Sequence, residues 1–149
     1  MKTLRKILSI GHVGAYKRFS QADQGRHIHC VAWLLRNDRD FLSQTKWKHD
    51  SINLKYNRDF LKEDLCYDIV IVHSIFHTEW PVVKKYRDKA KISVKHTIDN
   101  WRQRLISTSA TYLFICEGQP FSLSGYNLGV INGYKIKYQD HMVTIYKKI

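Results

Sequence analysis

The sequence predicts a single α/β domain over residues 1–149, built on a mainly parallel sheet with a C-terminal antiparallel hairpin. Three observations predict it. Short apolar runs alternate with amphipathic stretches, as strands alternate with helices in such domains. The clearest run, YDIVIVHSIF (67–76), is continuous and β-branched from Ile69 to Val72, and runs of that kind mark strands buried on both faces, the habit of parallel sheets. The last segment changes character. GYKIKYQDHMVTIYKKI (133–149) alternates apolar and polar residues on both sides of QDH, which predicts a hairpin turning near Gln139–Asp140.

The elements follow in order. RKILSIG (5–11) is a short apolar run closed by glycine and reads as a buried first strand. AYKRFSQADQ (15–24) reads as a helix stopped by Gly25. HIHCVAWLL (27–35) is apolar and β-branched enough for a second strand, although its tail suits a helix as well. SINLKYN (51–57) alternates like a half-exposed strand. After the strand at 67–76, TEWPVVKKYRDKA (78–90) reads as a helix, with Thr78 as N-cap and Pro81 in the first turn, where its missing N–H costs little. KISVKHTI (91–98) is a further strand, DNWRQRLIS (99–107) a helix that Asp99 would cap, and TYLFICEG (111–118) a strand closed by glycine. Strand–helix repetition ending in a hairpin is the order of a Rossmann-like three-layer sandwich, a doubly wound sheet with an antiparallel edge.

The totals agree with one core. A chain of this length buries roughly 68–70% of its unfolded surface, and the apolar fraction of 44% supplies the material. Cys30, Cys66 and Cys116 each stand in an apolar run, as reduced, buried thiols do. No signal peptide is visible behind MKTLRK, and no apolar stretch approaches the ~20 residues of a membrane span, so a cytoplasmic protein is expected. The net charge of +12, from 25 Lys and Arg against 13 Asp and Glu, would attract nucleic acid or another polyanion. The basic residues are dispersed, however, with RQR at 102–104 and KK at 84–85 and 147–148 the densest clusters. A generally basic surface is the plainer reading.

Open sheets of this type bind ligands outside the carboxyl ends of their strands. After the first strand comes GHVGAY (11–16). Gly11 and Gly14 would let the backbone approach a ligand, with His12 between them, and a following helix N-terminus favours an anion. These three are the candidate cofactor-binding residues. The loop is neither GxGxxG nor a Walker sequence, and a tight turn is the alternative. His73, Ser74 and His77 follow the clearest strand, while His96 and Asp99 follow the next. If those two strands are neighbours, both sets open on one crevice. His73, His96 and Asp99 are therefore the candidate catalytic residues, because an imidazole there would donate to phosphate or act as a general base near neutral pH. Histidines satisfied by local hydrogen bonds are the alternative. No metal is expected: His27 and His29 would share a strand face but lack a third ligand nearby, and HExxH and CxxC are absent. GxSxG is absent too.

In order along the chain, ILSIGHVGAY, GRHIHCVAW, YDIVIVHS, KISVKHTIDNW, ATYLFICEGQ and VINGYKI resemble the amino-terminal, acceptor-side half of retaining GT-B glycosyltransferases, over most of residues 6–136. The resemblance implies a transferase with a nucleotide-sugar ligand, with acceptor-side roles for Gly11, Gly14, His73, His96 and Asp99. It also implies a partner chain to complete the cleft, since the half holding most nucleotide-sugar contacts has no counterpart here. A weaker resemblance is to class I S-adenosylmethionine-dependent methyltransferases. Those also open with a strand and glycine loop, carry an acidic residue ahead of a central strand (here Asp68) and finish in a hairpin; S-adenosylmethionine would then be the cofactor. Against that pattern, Ser9 stands where an acidic residue usually precedes the glycine loop. A third reading is a non-catalytic basic module that binds nucleic acid or a partner protein through Trp47, Trp80 and Trp101. Of these Trp47, in the polar KWKHD, is expected to be the most accessible, and helix-to-sheet packing is the alternative for the other two.

Overall fold

The computed structural model describes residues 3–11, 30–43, 45–53, 66–73, 99–116, 128–140 and 143–149. Strand β1 (Thr3–Gly11) is followed by helical residues 30–37 (α1), a single turn α2 (Arg39–Leu42) and β2 (Thr45–Asn53). Then come β3 (Ile69–His73), helical residues 99–106 (α3), β4 (Tyr112–Cys116), β5 (Tyr134–Gln139) and β6 (Val143–Lys148). The strands form one six-stranded mixed sheet in the order β2-β1-β3-β4-β6-β5. Pairing is parallel from β2 through β4 and antiparallel at β4–β6 and β5–β6.

The central strands are buried because their residues are apolar on both sides. Alternation sends them into two clusters. Ile69, Ile71, Tyr112, Phe114 and Ile145 pack with Cys30 and Leu34 of α1. Val70, Val72, Leu113, Ile115 and Tyr146 pack with Trp101 and Leu105 of α3. Each fully buried aliphatic side chain contributes roughly 1.5–3 kcal/mol of transfer free energy. A terminal turn leads into β5 through Gly133, whose φ of 87° is the left-handed conformation glycine adopts at no steric cost. An added Cβ there would meet nothing within 4 Å, so backbone conformation rather than space selects the residue.

Among the described residues, the strands expected at 5–11, 67–76 and 111–118 are seen as β1, β3 and β4, the terminal hairpin is present, and residues 99–106 of the helix expected at 99–107 are helical. Several expectations are corrected. Of the strand expected at 27–35, whose tail suits a helix as well, residues 30–35 are described and belong to a helix over 30–37. Cys30 and Leu34, one helical turn apart, are buried while Leu35 is 47% exposed, a 3.6-residue period that a short apolar run conceals. Strand β2 begins at Thr45, well ahead of Ser51, because TKWKHD already alternates. Trp47 is consequently half-buried against Phe41, with ring centroids 5.6 Å apart, rather than accessible. Trp101 is core packing at 2% exposure. Cys66 is exposed, because it precedes β3 instead of lying within it, whereas Cys30 and Cys116 are buried. The reversed strand is not at the edge: β6 lies between β4 and β5, and β5 runs in the same direction as β4. Asp99 is already within the helical turn, its carboxylate 3.1 Å from Arg102 Nη1, so it pairs along the helix rather than capping it. The helix expected at 15–24, the helix at 78–90 and the strand at 91–98 lie outside the described residues, as does Trp80.

Part of the positive charge has a structural use. The two outermost described strands carry exposed lysines at alternate positions, Lys46 and Lys48 on β2 and Lys135 and Lys137 on β5. Charged side chains on an outer strand discourage pairing with another chain, and β5 is further irregular between Ile136 and Tyr138. Members of the two basic clusters among the described residues are engaged within the protein. Arg102 Nε donates to Leu128 O, Arg104 stacks 5.5 Å from the Trp101 ring, and Lys147 lies 3.4 Å from Asp38. No helix among the described residues is long and apolar enough to cross a membrane.

Candidate functional site

The register of the parallel strands lines up their carboxyl ends. Gly11 is level with Asn53, Ile10 with Val72, His73 with Cys116, and Cys116 with Val143 at the start of β6. The row Asn53, Gly11, His73, Cys116, Val143 is therefore one edge of the sheet, where a doubly wound fold places its ligands. Gly11 and His73, two of the candidate residues, stand on adjacent strands in that row. His12, Gly14 and His96 lie outside the described residues, as do Ser74 and His77.

The strand expected at 91–98, which would carry His96, lies outside the described residues. Both sides of β3 are taken, by β1 and by β4. Asp99 is half-exposed and paired with Arg102. Its helix packs in the cluster opposite α1 and ends close to the amino end of β4, with Thr108 N donating to Leu105 O at 3.2 Å. Asp68, ahead of the central strand, belongs to the other edge. Its Oδ2 accepts from the Lys6 N–H at 2.8 Å, its own N–H donates to Lys6 O at 2.9 Å, and its carbonyl accepts from Thr111 N at 2.9 Å. It ties three strands together.

Within the sheet, Ser9 is fully buried and its Oγ lies 2.7 Å from His49 Nε2, the imidazole tautomer deciding which group donates. Burial holds the His49 pKa below its ordinary value, partly opposed by the Asp50 carboxylate. On the same face Tyr112 donates to Asp38 Oδ2. Burial alone would raise the Asp38 carboxyl, but the Tyr112 hydroxyl and the Lys147 ammonium outweigh it and hold the pKa below the usual value. Burial and the Asp38 carboxylate together push the Tyr112 phenol up. This cluster is a structural anchor at the amino end of β4.

A cleft of ≈ 590 Å³ opens between α1 and the hairpin and reaches Cys116 and Val143 in the carboxyl row. Phe114 and Ile145 line it from the sheet, and Trp33 and Arg36 from the helix. At the hairpin turn, Asp140 Oδ1 accepts from Val143 N at 2.8 Å and Oδ2 from the Tyr138 hydroxyl at 2.9 Å. The Asp140 carboxylate holds that phenol above its ordinary pKa. The sequence reading of HIHCVAWLL (27–35) as a strand, with a tail that suits a helix as well, did not bring Trp33 and Arg36 to the hairpin, and so missed this cleft. The available signal was TYLFIC, whose alternation sends Phe114 and Cys116 to one face, and a Trp33–Asn37 spacing of one helical turn. Among the described residues, no group of three or more His, Cys, Asp and Glu could hold a metal ion.

The chain matches no family model, no curated protein and no solved structure.

Proposed function

We propose that this protein is a Rossmann-like three-layer domain of transferase type that binds a nucleotide-bearing ligand at the carboxyl edge of its sheet. The observation that carries the reading is the row in which Gly11 and His73 end adjacent parallel strands. Packing of α1 and α3 in opposite clusters supports the layered architecture. Gly11, with His12 and Gly14, would cradle the phosphates, because glycine lets backbone N–H groups approach an anion. His73 would donate to phosphate or take the acceptor's proton, with His96 and Asp99 the next residues assigned. A cytoplasmic setting goes with this reading.

The ligand on this reading is an activated sugar, as in the glycosyltransferases the sequence resembles, with a partner chain completing the cleft. One observation favours S-adenosylmethionine instead. The terminal hairpin is built into the sheet, with β6 between β4 and β5, and a closing hairpin belongs to the methyltransferase resemblance and not to the glycosyltransferase one.

A thermal-shift panel of UDP-sugars, S-adenosylmethionine, its demethylated product, and short DNA and RNA tests the proposal. A ligand at 100 times its dissociation constant stabilises the fold by roughly 2.7 kcal/mol. A shift with one small molecule that weakens in His73→Ala supports the reading and names the donor. Silence from all of them, with salt-sensitive binding of oligonucleotides, would replace it with a basic nucleic-acid module.

A further inference from the structure

Strand β5 carries charge whose sign the fold does not need. Of its residues only Tyr134 is buried; Lys135, Ile136, Lys137, Tyr138 and Gln139 are exposed. Residues 133–149 hold four lysines against one acid, Asp140. Charge of either sign blunts an outer strand. Lys135, however, stands directly opposite Lys147 on β6, and like charges so placed are destabilising. A glutamate at 135 would guard the strand equally and pair with Lys147. Lys147 is met by Asp38, 3.4 Å away, while Lys135 and Lys137 form no ion pair among the described residues. Their charge is left for a partner outside the chain.

The irregularity of β5 between Ile136 and Tyr138 sets a ring among these cations. Lys135 pairs with Lys147 and Tyr138 with Ile145. Residues two apart on β6 share a face, so Lys135 and Tyr138 share it as well. In a regular strand Tyr138 would fall on the other face; re-aiming a side chain is what a bulge does. The Tyr138 side is open, at 43% exposure. Arg36 of α1 lines the same cleft as Tyr138, and its charge reaches the Tyr138 hydroxyl. An accessible aromatic ring beside Lys135, Lys137 and Arg36 suits unpaired bases on a phosphate backbone, the ring stacking on a base and the cations meeting phosphates. A duplex keeps its base faces stacked inside and offers the tyrosine no such contact.

We propose that the α1 side of β5, with Arg36 beside it, binds single-stranded nucleic acid, one base stacked on Tyr138 and the flanking phosphates on Lys135, Lys137 and Arg36. These contacts use neither base edges nor the 2′-hydroxyl, so RNA and DNA strands are expected to bind alike. The surface stands whether or not the strand-end ligand is a nucleotide.

Fluorescence-anisotropy titration of the full chain with labelled oligothymidine, oligouridine and a duplex of the same length tests the proposal. Tyr138→Ala should weaken binding of both single strands at least about fivefold, the worth of one stacked base, and leave duplex binding unchanged; Tyr138→Phe, which keeps the ring, should bind as the wild type does. Lys137→Gln should reduce the salt slope for single strands by about 0.7, one phosphate contact. Lys135→Glu should weaken single-strand binding more than Lys46→Glu on β2, yet be at least as stable as the wild type in urea, because it gains Lys147 as a partner. If Tyr138→Ala does not fold, the comparison of Lys135→Glu with Lys46→Glu decides. No binding of single strands by the wild type, equal losses for strand and duplex in Tyr138→Ala, or equal losses in Lys135→Glu and Lys46→Glu would overturn the proposal. A silent small-molecule panel beside the expected titrations removes the strand-end reading alone, and the reverse result removes the β5 surface alone.

Discussion

At the amino edge of the sheet the chain is tied from strand to strand: Lys6 to Asp68, Asp68 to Thr111, Thr111 to Lys148, and Ile149 to Gly133. Tyrosine hydroxyls add to it, Tyr134 donating to Ala110 O at 2.7 Å and Tyr112 to Asp38. The carboxyl edge of the same strands has another character. Its row of Asn53, Gly11, His73, Cys116 and Val143 meets, at Cys116 and Val143, a cleft lined by Trp33, Phe114 and Tyr138 together with Arg36 and Asp140. The amino edge thus spends its polar groups on ties between strands, and the carboxyl edge adjoins, at Cys116 and Val143, a space large enough for a ligand. Substitutions at the first should cost stability; those at the second should cost binding.

The largest effect is expected at the amino edge. Asp68→Ala removes the acceptor for the Lys6 N–H and should lower the unfolding free energy by about 1.5–3 kcal/mol in urea titrations, the range for a hydrogen bond to a charged group. Tyr134→Phe deletes a buried hydroxyl bonded to Ala110 O and should cost about 1 kcal/mol in the same assay. Were either variant as stable as the wild type, the contrast between the edges would lose its first half.

Much of this architecture is legible in the sequence, for definite reasons. Ile69 to Val72 announce a buried parallel strand because both faces need apolar residues, and the hairpin shows because one of its faces does not. The helix at 30–37 is illegible as such, since a short apolar run fits either period until Leu35 is seen to be exposed. Asp68 cannot be read as a tie, because its partner, Lys6, is remote in the chain and the contact is to backbone. The cleft is hidden for the same reason: it joins Trp33 and Arg36 to Asp140 and Ile145, and no local pattern links them. Of the candidate residues, Gly11 and His73 are found where the strand-end rule places them, and that rule needs only strand direction.

A smaller effect concerns acidity. The folded protein favours the neutral imidazole of His49, so below the ordinary pKa of 6.5 the unfolded chain binds more protons than the folded one. Stability should therefore fall as pH falls through and below that value, and His49→Gln should show a shallower loss in the same urea series. The ring keeps substantial solvent contact and Asp50 opposes the shift, which makes the difference modest. Smallest of all, Arg36→Gln should change the unfolding free energy by no more than ~0.5 kcal/mol, as substitutions of exposed residues do. A large destabilisation there would mean that the carboxyl side is held together as the amino side is.

Amide proton–nitrogen shift mapping, with S-adenosylhomocysteine and UDP as separate titrants, tests the central claim most directly. With at least one of them, the largest shifts should fall on Gly11, His73 and their neighbours along the carboxyl row, while Asp68, Thr111 and Gly133 stay in place. Shifts centred on those three residues, or on the exposed lysines of β2 and β5, or none with either titrant, would contradict it.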